Sequence, residues 1–260
     1  MPLVSLRKDA LFFGKKCSDD QLSQKISMMG TPLEKMEGGE LQVEIFPNRP
    51  DLLSEVGFVR SFRSFASGKL ENKTYKSSPS QYHVVVDAVV DEVRPFTVCA
   101  VVKNLVFTDA GIRDIIQIQE KLHMTFCRKR KKAAIGMYPL EKIAFPVTYT
   151  AKKPEDIRFI PLDGKREMSG KQILDEHPTG REFAHLLDGK KVYPVFIDAN
   201  KNILSMPPII NSEKMGRVDE STHALFVECT GQDLEVLQQC LTIISCALAD
   251  LGGEVFSVTV

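Results

Sequence analysis

Short β-branched and aromatic runs, separated by turn residues, recur from residue 82 to residue 229, and this pattern constrains the chain more than any other feature. Runs of this length at 82–90, 97–106, 133–137, 145–149, 192–197, 203–206 and 224–229 read as strands. Asp198-Ala199-Asn200-Lys201-Asn202 joins two of them as a hairpin. Two stretches change period. Ile112, Ile115, Ile116, Gln119, Leu122 and Phe126 fall at helical spacing, with a helix end expected close to Cys127. From Leu234, residues Leu237, Leu241, Ile244, Leu248 and Leu251 repeat at three- and four-residue steps before Gly252-Gly253 and a last strand. Strands dominate and helices pack on them, which predicts an α+β fold with mixed sheets.

The first third is organised differently. An apolar stretch at 2–6 precedes Ser18, which is placed to cap a helix through Leu22, Ile26 and Met29 that Gly30-Thr31-Pro32 stops. Residues 41–46 alternate as a strand and run into Pro47-Asn48-Arg49-Pro50. Pro50 suits a first helical position, with Asp51 at the positive end of the dipole and Leu52, Val56 and Val59 as the apolar stripe. Residues 67–81 (SGKLENKTYKSSPSQ) are rich in Ser, Lys and Asn and lack periodicity, so they read as a linker. A chain of 260 residues accommodates two modest domains. The expected division is a small N-terminal α/β module at 1–75 and a larger domain at 82–260.

Lys plus Arg and Asp plus Glu are both 34, so any polyanion must be met by a local patch rather than by net charge. The six cysteines are scattered, without CxxC pairs or histidines at zinc-ligand spacing, which predicts reduced, mostly buried thiols and no metal site. No apolar run approaches the roughly 20 residues of a membrane span, and MPLVSLRKDALFF lacks a signal-peptide core. A cytoplasmic location is the expectation.

Several stretches, in order along nearly the whole chain, resemble the archaeal and eukaryotic phenylalanyl-tRNA synthetase β subunit. They are MPLVSL, NRPDLLSEVGFVR (48–60), QEKLHMTFCRKRKKAAIG (119–136), YTAKKPEDIRFIPL (149–162), YPVFIDANKNILSMPPIINSE (193–213) and FVECTGQD (226–233). The pair ILSMPPIINSE and VECTG is the most specific of these. The resemblance implies an N-terminal appended module followed by an editing domain that hydrolyses tRNA(Phe) mischarged with tyrosine. The family's β subunit continues into modules that dock the α subunit in a heterotetramer, so the resemblance implies a fragment or a truncated relative. No class II synthetase signature motif is recognisable. Aminoacylation by this chain alone is not expected, and ATP and Mg are expected only for the complete synthetase, with no cofactor in this part.

In a strand over 226–230, Glu228 and Thr230 share one face while Val227 and Cys229 share the other. A carboxylate and a hydroxyl on one face suit recognition of a phenol. The resemblance implies that Glu228 pairs with the tyrosine hydroxyl and that Leu204, Met206, Pro207 and Pro208 help to bind the substrate. The prolines stiffen the 206–213 loop, and Asn211 and Ser212, with Thr230, are the candidate catalytic groups that hold the ester carbonyl or a water. Against this, Ser212 can be a local turn residue and Glu228 a solvated strand end. An aminoacyl ester is reactive enough to be hydrolysed by orientation with a water, without a nucleophile triad. Among the dispersed histidines, His223 is the one near the Glu228 strand.

Arg128-Lys129-Arg130-Lys131-Lys132, with Lys121 upstream, is the one basic patch. It suits either a solvated helix end or salt-sensitive contact with the tRNA acceptor end. A rival reading keeps the editing fold as a non-catalytic tRNA-binding or assembly module. A third, a free-standing deacylase, fits the NRPDLL module less well.

Overall fold

The structure, a computed structural model, describes residues 2–11, 17–69 and 73–260. The first residue of MPLVSL, the 12–16 part of the N-terminal stretch and the middle of the expected linker lie outside the described residues. In chain order the elements begin with β1 (Leu3–Arg7), α1 (Asp19–Met28), β2 (Leu33–Glu37), β3 (Glu40–Glu44) and α2 (Glu55–Ser67). Strand β3 lies between β1 and β2 in an antiparallel sheet. Ser18 caps α1, and Gln21 reaches back to the Ser18 N–H, a reciprocal arrangement that satisfies two otherwise orphaned donors. Pro50–Leu52 form only a 3-10 turn. The helix restarts after Ser54, whose Oγ accepts the Gly57 N–H, because a hydroxyl at this position is a better N-cap than anything in Pro50-Asp51-Leu52-Leu53.

The remaining strands are β4 (Ser77–Ser78), β5 (Val84–Val86), β6 (Phe96–Lys103), β7 (Ala133–Pro139), β8 (Val147–Lys152), β9 (Arg158–Phe159), β10 (Met168–Ser169), β11 (Tyr193–Ile197), β12 (Ile203–Met206), β13 (Ile210–Asn211), β14 (Leu225–Gly231) and β15 (Glu254–Ser257). The helices are α3 (Asp109–Met124), α4 (Gly170–Glu176), α5 (Pro178–Phe183), α6 (Glu213–Gly216) and α7 (Leu234–Asp250). Two five-stranded sheets, ordered β4-β15-β6-β14-β7 and β13-β12-β11-β8-β5, face each other across a core of Val101, Tyr138, Tyr149, Phe196 and Phe226. The outer face of the first sheet packs on α3, α7 and the N-terminal elements in one continuous core. Helices α4 and α5 cover the second sheet. The fold is α+β, with sheets between helical layers. Among the described residues, no helix is long and apolar enough to cross a membrane.

Period 2 on β14 explains the layering. Leu225, Val227 and Cys229 enter the helical core while Phe226 enters the core between the sheets, so Glu228 and Thr230 are carried inward with Phe226. The expected strand 82–90 is shorter than its pattern, because residues 88–92 turn into a 3-10 helix. The described part of the expected linker is anchored. Ser77–Ser78 pair with β15, and the Tyr75 hydroxyl donates to Asp250 Oδ1 at 2.8 Å. On α3, the Asp114 carboxylate accepts the N–H groups of Glu55 at 2.6 Å and Val56 at 3.1 Å, which caps α2 from a helix distant in sequence.

A candidate carboxyl-floored active site

A cleft of about 400 Å³ opens between α3, β7, the β12–β13 loop, the α4–α5 corner and the segment after α6. Glu228 forms part of its floor, 2% exposed. Its position follows from strand pairing: β14 lies between β6 and β7, with Glu228 opposite Cys99 on one side and Gly136 on the other. A Cβ on Gly136 would lie 2.3 Å from both Glu228 Oε1 and the Tyr138 hydroxyl. Only glycine leaves room for the two polar groups to meet.

The Tyr138 oxygen lies 2.8 Å from Ser205 Oγ, 3.0 Å from Glu228 Oε1 and 3.3 Å from Asn211 Oδ1. The one phenolic proton can go to only one of these oxygens at a time, and the Ser205 hydroxyl can donate to the phenol oxygen in return. Burial pushes the Glu228 carboxyl up to about 8, against the opposing pull of the Tyr138 hydrogen bond and the Arg94 charge. At neutral pH the carboxyl is therefore mostly protonated and can both donate and accept. Its Oε2 is buried and has no hydrogen-bond partner.

Three other buried side-chain atoms lack a partner among the described residues: His123 Nδ1, His177 Nδ1 and Arg130 Nε. All four belong to residues that line this cleft. Buried polar atoms are ordinarily satisfied, so their concentration at one place singles out this cleft as the candidate site. His123 Nε2 accepts the Ile135 N–H at 2.9 Å, which puts the proton of its neutral ring on Nδ1, 3.7 Å from Glu120. Burial holds this imidazole below its ordinary pKa.

The structure distributes the sequence candidates unevenly. Glu228, Asn211, Pro207 and Pro208 line the cleft together. Met206 and Leu204 are buried behind it, in the helix-covered and inter-sheet cores respectively. The Ser212 hydroxyl caps α6 by accepting the Met215 N–H at 3.1 Å, and the residue is 1% exposed. Thr230 shares the Glu228 face but lies deeper, its Oγ1 accepting from Arg94 Nε at 3.0 Å and its carbonyl from Arg94 Nη2 at 2.5 Å. His223 sits apart, with Nδ1 3.3 Å from the Leu105 carbonyl.

The basic run is not one solvated helix end. Arg128, Lys129 and Arg130 adopt positive φ values of 49°, 53° and 63°, and this left-handed turn sends Arg130 inward. Its Nη1 donates to the carbonyls of Ile209 at 2.8 Å and Pro208 at 3.3 Å, and its guanidinium lies 4.1 Å from the Phe183 ring centroid. Lys132 pairs with Asp233 at 3.1 Å. Arg128, Lys129 and Lys131 remain exposed, and Lys121 is half-buried on α3. Sequence reasoning missed Tyr138, Ser205, Arg94 and His177, because each meets the site through pairings of distant segments. Among the described residues, no group of three His, Cys, Asp or Glu side chains could hold a metal ion.

The fold and its cleft define an α+β domain whose pocket has a buried carboxyl in its floor, held from behind by a phenol, and imidazole and guanidinium groups in its walls. No protein-family model matches the chain. The phenylalanine–tRNA ligase β subunit of Archaeoglobus fulgidus is 40% identical over 260 residues, covering 100% of this chain and 47% of that protein. That of Thermococcus sibiricus is 42% identical over 214 residues, 82% of this chain and 38% of the relative. The crystal structure of an N-terminal fragment of the phenylalanyl-tRNA synthetase β subunit from Pyrococcus horikoshii superimposes with a TM-score of 0.92 at 34% identity, covering 99% of this chain and 76% of that one. The chain belongs to the phenylalanyl-tRNA synthetase β-subunit family and corresponds to its N-terminal part. It spans about half the length of the curated relatives it matches.

Proposed function

We propose that this chain hydrolyses tRNA(Phe) mischarged with tyrosine, as the editing part of a phenylalanyl-tRNA synthetase β subunit. The observation that carries the reading is the buried Glu228 carboxyl, with one oxygen held by Tyr138 and the other unpaired at the floor of the cleft. A phenol inserted there satisfies Oε2. A phenyl ring leaves it unsatisfied, and a site that hydrogen-bonds a substrate hydroxyl rejects the analogue lacking it by roughly 10⁴ or more. An apolar synthetic pocket, by contrast, rejects an added hydroxyl by only about a hundredfold. The ester then lies toward the rim, where Asn211 and the rigid prolines orient it for attack by water. Attack by an oriented water needs no cofactor.

In this reading residues 1–75 are the appended module and 82–260 the editing domain. Exposed Arg128, Lys129 and Lys131, with Lys121, meet phosphates of the tRNA acceptor end, and the α subunit joins the complete β subunit in a heterotetramer. Arg130 serves the cleft instead of the phosphates. The test is deacylation of Tyr-tRNA(Phe) and Phe-tRNA(Phe) by the 260-residue chain. Tyrosine-selective hydrolysis supports editing; tRNA binding without hydrolysis would establish the non-catalytic module in its place.

A further inference from the structure

Resting on that reading, we infer that His177 is the general base that activates the hydrolytic water. The residue joins α4 to α5. Its N–H donates to the Ile173 carbonyl at 3.1 Å and its own carbonyl accepts the Arg181 N–H at 2.9 Å. Pro178 follows, and Gly180 packs so tightly that a Cβ there would lie 1.7 Å from the Ile173 oxygen. The corner is therefore fixed by backbone packing, as a catalytic group requires.

The ring is fixed as well. His177 Nε2 lies 3.2 Å from the Leu162 carbonyl oxygen, which can only accept, so Nε2 carries the proton and Nδ1 holds a free lone pair. That Nδ1 is one of the four unpartnered buried atoms around the cleft. The same Leu162 residue donates its N–H to the Asn211 carbonyl at 2.9 Å, tying the imidazole to the loop that holds the ester. An orienting acceptor on one ring nitrogen and an unpartnered acceptor on the other is the arrangement of a general base.

The other titratable groups of the cleft are engaged: Glu120 faces His123 at 3.7 Å and Arg130 at 3.5 Å, and Asp163 pairs with Arg217 at 2.6 Å. The acceptor nitrogen of His123 is occupied by the Ile135 N–H. The Glu228 carboxyl, raised to about 8, keeps its proton at neutral pH. His83, His185 and His223 each place Nδ1 against a backbone carbonyl, and none of them lines the cleft. The step is balanced: as the water oxygen bonds to the ester carbonyl carbon, one water proton passes to His177 Nδ1. The tetrahedral intermediate collapses, the bond from that carbon to the ribose oxygen breaks, and the proton passes from Nδ1 to the leaving oxygen. Free tyrosine and the tRNA hydroxyl result, and the imidazole is again neutral.

The test is Tyr-tRNA(Phe) deacylation by the 260-residue chain and its His177→Ala variant, each with and without added imidazole. We expect kcat to fall by roughly 10² to 10⁴, KM to change little, and imidazole to restore part of the rate. His177→Gln, which fills the site but cannot take a proton, is to show the same loss with thermal unfolding unchanged, and it serves alone if the alanine variant unfolds. A wild-type rate in either variant, or a loss expressed in KM without imidazole rescue, overturns the base assignment. An inactive wild-type chain overturns instead the hydrolytic reading beneath it.

Discussion

Glu228 and Tyr138, 90 positions apart, place a carboxyl oxygen and a phenol oxygen 3.0 Å from each other inside the sheet sandwich. Gly136, directly opposite Glu228 in register and two residues before Tyr138 on the same strand, makes the approach possible. This contact joins the β14 floor to Ser205 on β12 and Asn211 on β13, so polar groups of two sheets form one network. Removing any member affects the others.

On the proposed editing function, Glu228→Ala removes the group that rewards a phenol. We expect kcat/KM for Tyr-tRNA(Phe), and with it the selectivity over Phe-tRNA(Phe), to fall by about 5- to 150-fold, the equivalent of about 1 to 3 kcal/mol for a lost buried hydrogen bond. Paired deacylation rates measure both effects; a variant that retains selectivity would place phenol recognition elsewhere.

The same carboxyl gives the fold a pH signature. Burial raises its folded-state pKa to about 8 from an ordinary value of 4.5, so between these limits the folded chain holds a proton that the unfolded chain has released. The stabilisation is full below about 4.5 and is lost as pH rises through about 8, with a slope of at most about 1.4 kcal/mol per pH unit. Urea unfolding across this window should show the wild-type chain losing stability relative to Glu228→Gln. Parallel curves would disprove the shift.

Gly136→Ala forces a methyl within 2.3 Å of two polar oxygens. Overpacking of this kind costs about 1 to 3 kcal/mol or more. Gly111→Ala, whose Cβ would meet nothing nearer than 3.6 Å in the first turn of α3, should be neutral or stabilising by up to about 1 kcal/mol. Comparison of their denaturation midpoints checks the contrast.

Arg130 and its exposed neighbours should separate in tRNA binding. Replacing Arg128 and Lys129 by Ala should lower affinity uniformly and reduce the log–log salt slope by about 0.7 to 0.9 for each phosphate no longer neutralised. Arg130→Ala should leave that slope nearly unchanged while lowering the deacylation rate, because its side chain holds the carbonyls of Pro208 and Ile209. Filter binding at several salt concentrations, alongside deacylation, distinguishes the two.

Much of the secondary structure was legible in the chain. The Ser18 cap, the 203–206 strand, the α3 and α7 stripes and the shared face of Glu228 and Thr230 follow from local chemistry and from periods of 3.6 and 2, which nearest neighbours encode. Helices α4 and α5 leave a weaker signal: beyond the Ser169–Gln172 capping box and Pro178 at a helix start they are short, with Gly170 and Gly180 inside them, and the packing of Ile173 and Phe183 against the second sheet holds them. Tertiary structure alone decided that Thr230 and Ser212 spend their hydroxyls on Arg94 and a helix cap, that Arg130 turns inward, and that Tyr138 meets Glu228. A strand's pattern states which face a side chain takes; which distant strand pairs beside it, and in what register, is settled by how the whole core packs.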